Sequence, residues 1–406
     1  MSLIQRLPSG PLDIVGDIHG EIAALRQLLT HLGYDEQGHH PQGRRLVFVG
    51  DFCDRGPDSP AVLRLVLSMI AAGTALAVLG NHEINLLRED AKDGSGWFFD
   101  SRLASDEPKY APFARLSKAD AATLLQQLNQ MPIALEREDL RVVHAAWLSP
   151  QIAMARSLPV GDVRHAYDRY EDQAAEQARS SQVLQRMQTE RQRWPHSLED
   201  GAQRPPFLPA HSERELGKAM VNPLKVLTTG VERECRTPFY AGGKWRFVQR
   251  VAWWSEYTEA PAVVVGHYWR RPLAGDAAAH GPQAENLFGH TGPLAWLGAR
   301  GNVFCVDYSV GARWAARVYL LEHERIALLA DEYQQRVQAV INHPPQDEQA
   351  RRRAVLVLLD AAHALRHVLE HHNEREHIAL AQELPLELQK AAWADEPASQ
   401  VRTPGS

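Results

Sequence analysis

One recurring pattern constrains this chain more than any other feature: short apolar runs that each stop on a residue able to hold a ligand. Leu12–Val15 runs into Gly16-Asp17, Leu46–Val49 into Gly50-Asp51, and Ala75–Leu79 into Gly80-Asn81. Further on, Leu140–Val143 ends at His144, Ala262–Val265 at Gly266-His267, and Val303–Val306 at Asp307. Apolar runs this short, bounded by turn residues, read as buried strands. Helical patterns separate the first three. Ile22, Leu25, Leu28, Leu29 and Leu32 recur at helical spacing before Gly33, and Pro60–Ala72 starts on proline and closes on Gly73. Strand and helix in alternation predict βαβ units, hence an α/β fold with a buried sheet. Sites in such folds form beyond the carboxyl ends of the strands, which is where the polar residues stand.

Two segments interrupt the pattern. Leu86–Met131 begins polar and glycine-containing and ends helix-like, while Ser149–Val221 is charged, helical in its middle and then proline-rich. The second reads as a helical cap or lid inserted at 149–221. The expected organisation is one catalytic domain over 1–330 carrying that insertion, then a helical C-terminal extension and tail over 331–406. Composition narrows the class without naming a chemistry. With 44% apolar and 23% charged residues the 406-residue chain is ordinary for a soluble globular protein, which excludes a disordered or disulfide-dense chain. A net charge of −6 argues against a stable nucleic-acid partner. No apolar stretch is long enough for a membrane span, and the first residues are too short and polar for a secretory signal. Cys53, Cys235 and Cys305, odd in number and far apart, fit a reducing, cytoplasmic setting.

Three blocks carry the chemistry: GDIHG at 16–20, GDFCDRG at 50–56 and GNHE at 80–83. Each follows a strand and places hard donors on a glycine-containing turn. Asp17 and His19, two apart, can face one ion; Asp51 can bridge two; Asn81 offers a neutral carbonyl oxygen; His144 and His267 add imidazoles. Carboxylate, imidazole and amide together suit Mn, Fe or Zn better than Ca. Two ions roughly 3.5–4 Å apart would activate a water and steady both oxygens of an in-line displacement. His82 would then protonate the leaving oxygen with Asp54 orienting its ring, and Arg55 would grip phosphate.

The order and spacing of these blocks resemble the phosphoprotein phosphatase family of dinuclear metallophosphoesterases. The bacterial members are the most similar, including the diadenosine-tetraphosphatase-like and polynucleotide-end-phosphatase-like branches. The resemblance covers 12–147 well and 245–311 more loosely. It implies a calcineurin-like β-sandwich flanked by helices and two divalent ions, manganese first, with Fe, Zn, Ni or Co as alternatives. One ion would be held by Asp17, His19 and Asp51, the other by Asp51, Asn81, His144 and His267. His82 would be the general acid with Asp54 as its partner, and Arg55, Arg250 and Asn81 would contact the substrate phosphate. The implied reaction is hydrolysis of phosphate monoesters, on a phosphoprotein, a nucleotide or a phosphorylated small molecule, by direct attack of a metal-bridging hydroxide. The alternative is a bis(5′-nucleosyl)-tetraphosphatase-like cleavage of phosphoanhydrides.

Several positions keep a second reading. Gly289-His290-Thr291 matches the family's last-ligand tripeptide better than Gly266-His267-Tyr268, yet only His267 follows an apolar run. Arg246 is the runner-up to Arg250, which opens a stretch similar to the bacterial R-x-x-W-x-x-x-Y pattern. Cys53 reads as packing rather than as a nucleophile, because the neighbouring carboxylates raise a thiol pKa. His367-Val-Leu-Glu-His371 matches a short zinc-peptidase pattern but reads as a solvated helix face. Trp245, Trp253, Trp254, Tyr257, Tyr268 and Trp269 read as core or cleft wall, with nucleobase stacking as the alternative.

Overall fold

The computed structural model describes residues 1–270 and, apart from 290, 293 and 309, residues 287–310. The expected boundary at 330/331, the helical extension, His290 and the 367–371 pattern therefore lie outside the described residues. What is described falls within one compact unit, Met1–Trp314.

Among the described residues, ten strands form the framework: β1 Ile4–Arg6, β2 Leu12–Val15, β3 Arg45–Phe48, β4 Ala75–Ala77, β5 Ala134–Glu136, β6 Leu140–Val143, β7 Glu232–Ala241, β8 Lys244–Arg250, β9 Ala262–Val265 and β10 Val303–Cys305. One sheet runs β1-β5-β6-β9-β10, a second runs β2-β3-β4, and β7-β8 is a separate hairpin. The three-stranded sheet is parallel throughout. In the larger sheet only the β5–β6 pair is antiparallel.

Alternation along the strands shows why two sheets stack. Val47, Leu135, Val142 and Val264 share one small buried cluster with Val49 and Val78. Their strand neighbours Leu46, Phe48, Ala134, Val143, Val263 and Val265 belong to a separate, larger core. Successive side chains point to opposite faces, so the small cluster is the seam between the sheets and the larger one lies against the helices. This is the expected sandwich with flanking helices. Ten α-helices among the described residues accompany it: α1 Ile22–Leu32, α2 Ser59–Ala72, α3 Asn81–Leu87, α4 Leu103–Tyr110, α5 Lys118–Asn129, α6 Ser149–Arg156, α7 Val163–Ser180, α8 Val183–Arg193, α9 Pro209–Met220 and α10 Pro223–Thr229.

Local signals set most element ends. α1 and α2 stop on Gly33 (φ 86°) and Gly73 (φ 74°), in the left-handed conformation that glycine adopts at least cost. α2 starts one residue before Pro60, because the Asp58 carboxylate accepts from the Ala61 amide and caps it. The insertion at 149–221 folds as α6 to α9. It is tied to the end of α3 by Arg88, whose Nε donates to Asp168 at 2.7 Å while its guanidinium lies 4.4 Å over the Tyr167 ring. That contact matters because α3 carries Asn81 and His82.

Candidate metal centre

The turns after β2, β3 and β4 are bonded to one another before any side chain is considered. The amides of Ile18 and His19 both donate to the Asp51 carbonyl at 2.9 Å, and the Gly20 amide donates to the Phe52 carbonyl at 2.8 Å. The Glu83 carboxylate, fully buried, accepts from the amides of Asp51, Phe52 and Gly80 at 2.8–3.0 Å. It locks the β3 turn to the start of α3. Glycine is required where these turns touch: a Cβ on Gly80 would stand 2.1 Å from Asp51 Oδ1, and one on Gly266 would stand 2.1 Å from Asp17 Oδ1. Left-handed φ values outside glycine concentrate here too, at His19 (48°), Asp51 (52°), Asp54 (73°), Arg55 (69°) and His267 (64°). Backbone held in such conformations persists where the surroundings over-determine it, commonly at functional sites.

Among the described residues two side-chain groups have the spacing of an ion site. They are His19, Asp51 and His82, and Asp51, His144 and His267, with ligand-capable atoms within 4.8 Å of one another in each. Asp51 is common to both. His19 Nδ1 donates to the Cys53 carbonyl at 3.0 Å and His144 Nδ1 to the Val49 carbonyl at 2.8 Å, which turns both Nε2 atoms toward Asp51. His144 Nε2 lies 3.3 Å from Asp51 Oδ2 and 3.2 Å from Asn81 Oδ1. Those two oxygens only accept, so a positive charge must sit with them: a proton on His144 or a metal cation. Burial works against a charged His144, but Asp51 outweighs it and raises the imidazole pKa. Burial likewise works to raise the Asp51 carboxyl, yet the imidazoles of His144, His82 and His19 hold it well below the usual carboxylate range.

His267 behaves differently. Burial first, then the charge of Arg250, pushes its pKa well down, which favours the neutral ring. Its buried Nε2 has no hydrogen-bond partner among the described residues. Burying such an atom costs energy unless something pairs with it. A neutral imidazole aimed at a carboxylate and a second imidazole is the donor set of a divalent ion, and the residues present fit one. Asp17 lies beside this group. Its carboxylate accepts from the His267 amide at 3.0 and 3.2 Å, and burial together with the charges of Asp307 and Asp51 raises its pKa well above normal.

His82, buried, is a member of the first group. Its Nδ1 lies 2.5 Å from Asp54 Oδ2, and its Nε2 lies 3.3 Å from an Arg55 guanidinium nitrogen. Burial lowers the His82 pKa, but Asp51 and Asp54 more than offset it and leave it raised. Arg55 also reaches His19 Nε2 at 3.2 Å and lies 5.3 Å from the Trp269 ring, so its donors converge on the gap between the two imidazoles. Arg250 ends β8, exposed, with its charge felt at His267. Arg246 instead donates to the Ala241 carbonyl at the hairpin turn.

The remaining candidates sort by burial. Cys53 is fully buried, its thiol donating to Glu83 and its pKa pushed well up by burial and by Asp54. Of the aromatic group, Trp245, Trp253, Trp254, Tyr257 and Tyr268 are buried, whereas Trp269 is 44% exposed. Sequence reasoning passed over the bracing role of Glu83, the fourth residue of its own GNHE block. It also did not place Asp307 beside Asp17, although that residue was the polar stop of the last apolar run.

Known proteins resemble this chain as follows. Residues 10–193 match the family model described as calcineurin-like phosphoesterase. The asymmetrical bis(5′-nucleosyl)-tetraphosphatase PrpE of Halalkalibacterium halodurans is 49% identical over 79 residues, which is 19% of this chain and 32% of that protein. The symmetrical bis(5′-nucleosyl)-tetraphosphatase of Proteus mirabilis is 35% identical over 144 residues, 35% of this chain and 46% of that protein. The chain thus spans less than half the length of these curated relatives. Among solved structures, a cold-active protein-tyrosine phosphatase of a psychrophilic Shewanella is 19% identical, with 75% of each chain covered and a TM-score of 0.34. No helix among the described residues is long and apolar enough to cross a membrane.

Proposed function

Because residues 10–193 match the calcineurin-like phosphoesterase family model, we propose that the chain is a hydrolase of phosphate esters that works with two divalent ions. The observation that carries this reading is the buried His267 Nε2, which has no hydrogen-bond partner among the described residues and stands in one group with Asp51 and His144. Asp17, His19 and Asp51 would hold one ion, and Asp51, Asn81, His144 and His267 the other. Manganese is the first choice, with Fe, Zn, Ni or Co able to use the same donors. Bound there, such ions supply Lewis-acid charge and an activated water.

The chain's own residues do the rest. Arg55, with two donors aimed into the gap between His19 and His82, binds and orients the phosphate. Arg250 adds a second positive charge from the end of β8. In this structure Arg55, which can only donate, faces His82 Nε2; with Arg55 turned to the phosphate, His82 would carry at Nε2 the proton for the departing oxygen. Its Nδ1 bond to Asp54 fixes the ring and favours the protonated form, the state a general acid needs. The helices of 149–221 act as a cap, a reading supported by their anchor on Arg88 at the end of α3.

Phosphate monoesters are the first substrate reading. A second, cleavage of a dinucleoside tetraphosphate, is favoured by the activity named for the relatives and by the exposed Trp269 indole beside Arg55, where a nucleobase could stack. Turnover of the Mn²⁺-loaded protein on an aryl phosphate, a phosphopeptide and a dinucleoside tetraphosphate separates the two. Hydrolysis of the first two supports the monoester reading, and preference for the third supports the other. No turnover of any of them overturns the proposal.

A further inference from the structure

Trp97 lies in the polar loop after α3, a segment that no motif explains. Its side chain is 1% exposed, and its indole Nε1–H donates to Asp54 Oδ1 at 2.5 Å. Asp54 Oδ2 is the oxygen that meets His82 Nδ1, also at 2.5 Å. The Asp54 carboxylate is thus held at both oxygens, by a tryptophan on one side and the imidazole on the other. Asp54 itself sits in left-handed backbone, with its amide donating to Ser59 Oγ at 2.9 Å.

The loop is built to deliver that indole. The Gly94 carbonyl accepts from the Arg55 amide at 3.0 Å, which presses the loop against the Asp54-Arg55 turn. The Gly96 amide donates to the buried Asp106 at 2.8 Å, and the Trp97 carbonyl accepts from Leu116 at 3.1 Å. Backbone on both sides of the indole is therefore fixed. A carboxylate bonded through one oxygen can swing about its Cβ–Cγ bond, whereas one bonded through both keeps its plane. Outer partners of this kind hold the inner residue in its working orientation.

We propose that Trp97 is a positioning residue for proton delivery: its N–H fixes the plane of Asp54, and Asp54 fixes the ring that protonates the leaving oxygen. The inference rests on the assignment of His82 as general acid. It separates from the bland alternative, in which a buried indole merely finds an acceptor for its N–H, because the alternative has no reason to follow the leaving group.

The test uses the Mn²⁺-loaded full chain and phosphate monoesters whose leaving groups run from 4-nitrophenol to a simple alkanol. Trp97→Phe should lower kcat about 10-fold on the alkyl ester, the scale of losing an outer partner, with a smaller loss on 4-nitrophenyl phosphate. In an Asp54→Ala background the same substitution should add nothing further, since the two act through one path. Equal loss across the series, or full additivity with Asp54→Ala, overturns the inference. His82→Ala on the same series tells its failure from that of its premise. A steep His82→Ala dependence beside a flat Trp97→Phe profile overturns the role of Trp97 alone, and a flat His82→Ala profile overturns the acid assignment and the inference with it. Should Trp97→Phe fail to fold, a benzothienyl side chain at position 97, which carries sulfur in place of the N–H at nearly the same volume, gives the same readouts.

Discussion

The two sides of the centre share Asp51 but are assembled by different means. The His19 side is made of turns that follow neighbouring strands of one sheet and bond to one another: Ile18 and His19 amides to the Asp51 carbonyl, and His19 Nδ1 to Cys53 in the same turn as Asp51. Four residues of left-handed backbone, His19, Asp51, Asp54 and Arg55, crowd into it. The His144–His267 side is assembled across the sandwich. His144 projects from β6 in one sheet and bonds the Val49 carbonyl at the end of the other, and His267 reaches Asp17 from β9 by its amide. The first side depends on the turns of a single sheet and the second on how the two sheets register. Faults in packing should therefore reach the second side first.

Substitution of the shared ligand should erase the distinction. Asp51→Asn removes the charge common to both groups, and turnover should fall by more than the roughly 10–100-fold that loss of an outer partner costs. Steady-state kinetics on any accepted substrate measures this. His82→Ala touches the first side alone. It should retain bound metal, yet slow substrates with poor leaving groups by about 10²–10⁴-fold, the usual contribution of a general acid. Metal analysis beside a leaving-group series checks both halves of that expectation.

Gly266→Ala probes the dependence on packing. The new Cβ would meet Asp17 Oδ1 at 2.1 Å and Val49 Cγ2 at 2.6 Å, so either Asp17 or the seam between the sheets must move. A loss of about 1–3 kcal/mol in stability is expected by calorimetry, the cost typical of overpacking. The matching Ala at Gly43, which has open space around it, would instead report strain from its φ of 68° alone.

The smallest effect should come from an ion pair that belongs to neither ligand group, although its strand leads to Asp17. Asp13 of β2 accepts from Arg44 and from the Tyr34 hydroxyl, and the Arg44 bond chiefly holds its carboxyl below the ordinary value despite burial. A carboxyl depressed in the folded state adds stability that is present above its unfolded pKa, about 3.9, and lost as pH falls through the folded value. Arg44→Gln should therefore lower the melting temperature at neutral pH by less than Gly266→Ala does. The gap from the parent protein should close as the pH drops below about 4.

The same contrast explains what the sequence makes legible. Apolar runs announce β2, β6 and β9 at their exact residues, because their cores are Val and Ile bounded by turns. β1 (Ile4-Gln-Arg6) and β5 (Ala134-Leu-Glu136) are as short as β4 and β10, but polar residues break them, so no apolar run marks them. The β7–β8 hairpin is hidden by its charged strands, although Gly242-Gly243, both at positive φ, is the turn signal that could have announced it. On the site side, GDIHG, GDFCDRG and GNHE display Asp17, His19, Asp51, Asp54, Arg55, Asn81 and His82 in compact blocks. Trp97 was beyond reach, since its part depends on which side chain a distant loop brings within hydrogen-bond distance; Asp307 stands out as a strand stop, but not its place beside Asp17.

Metal content per chain of the Mn²⁺-loaded protein tests the central claim most directly. Two ions are expected in the parent protein, one in His19→Ala and one in His267→Ala, and none in Asp51→Asn, because only Asp51 belongs to both groups. A parent chain that binds no ion, or an Asp51→Asn variant that keeps both, would contradict it.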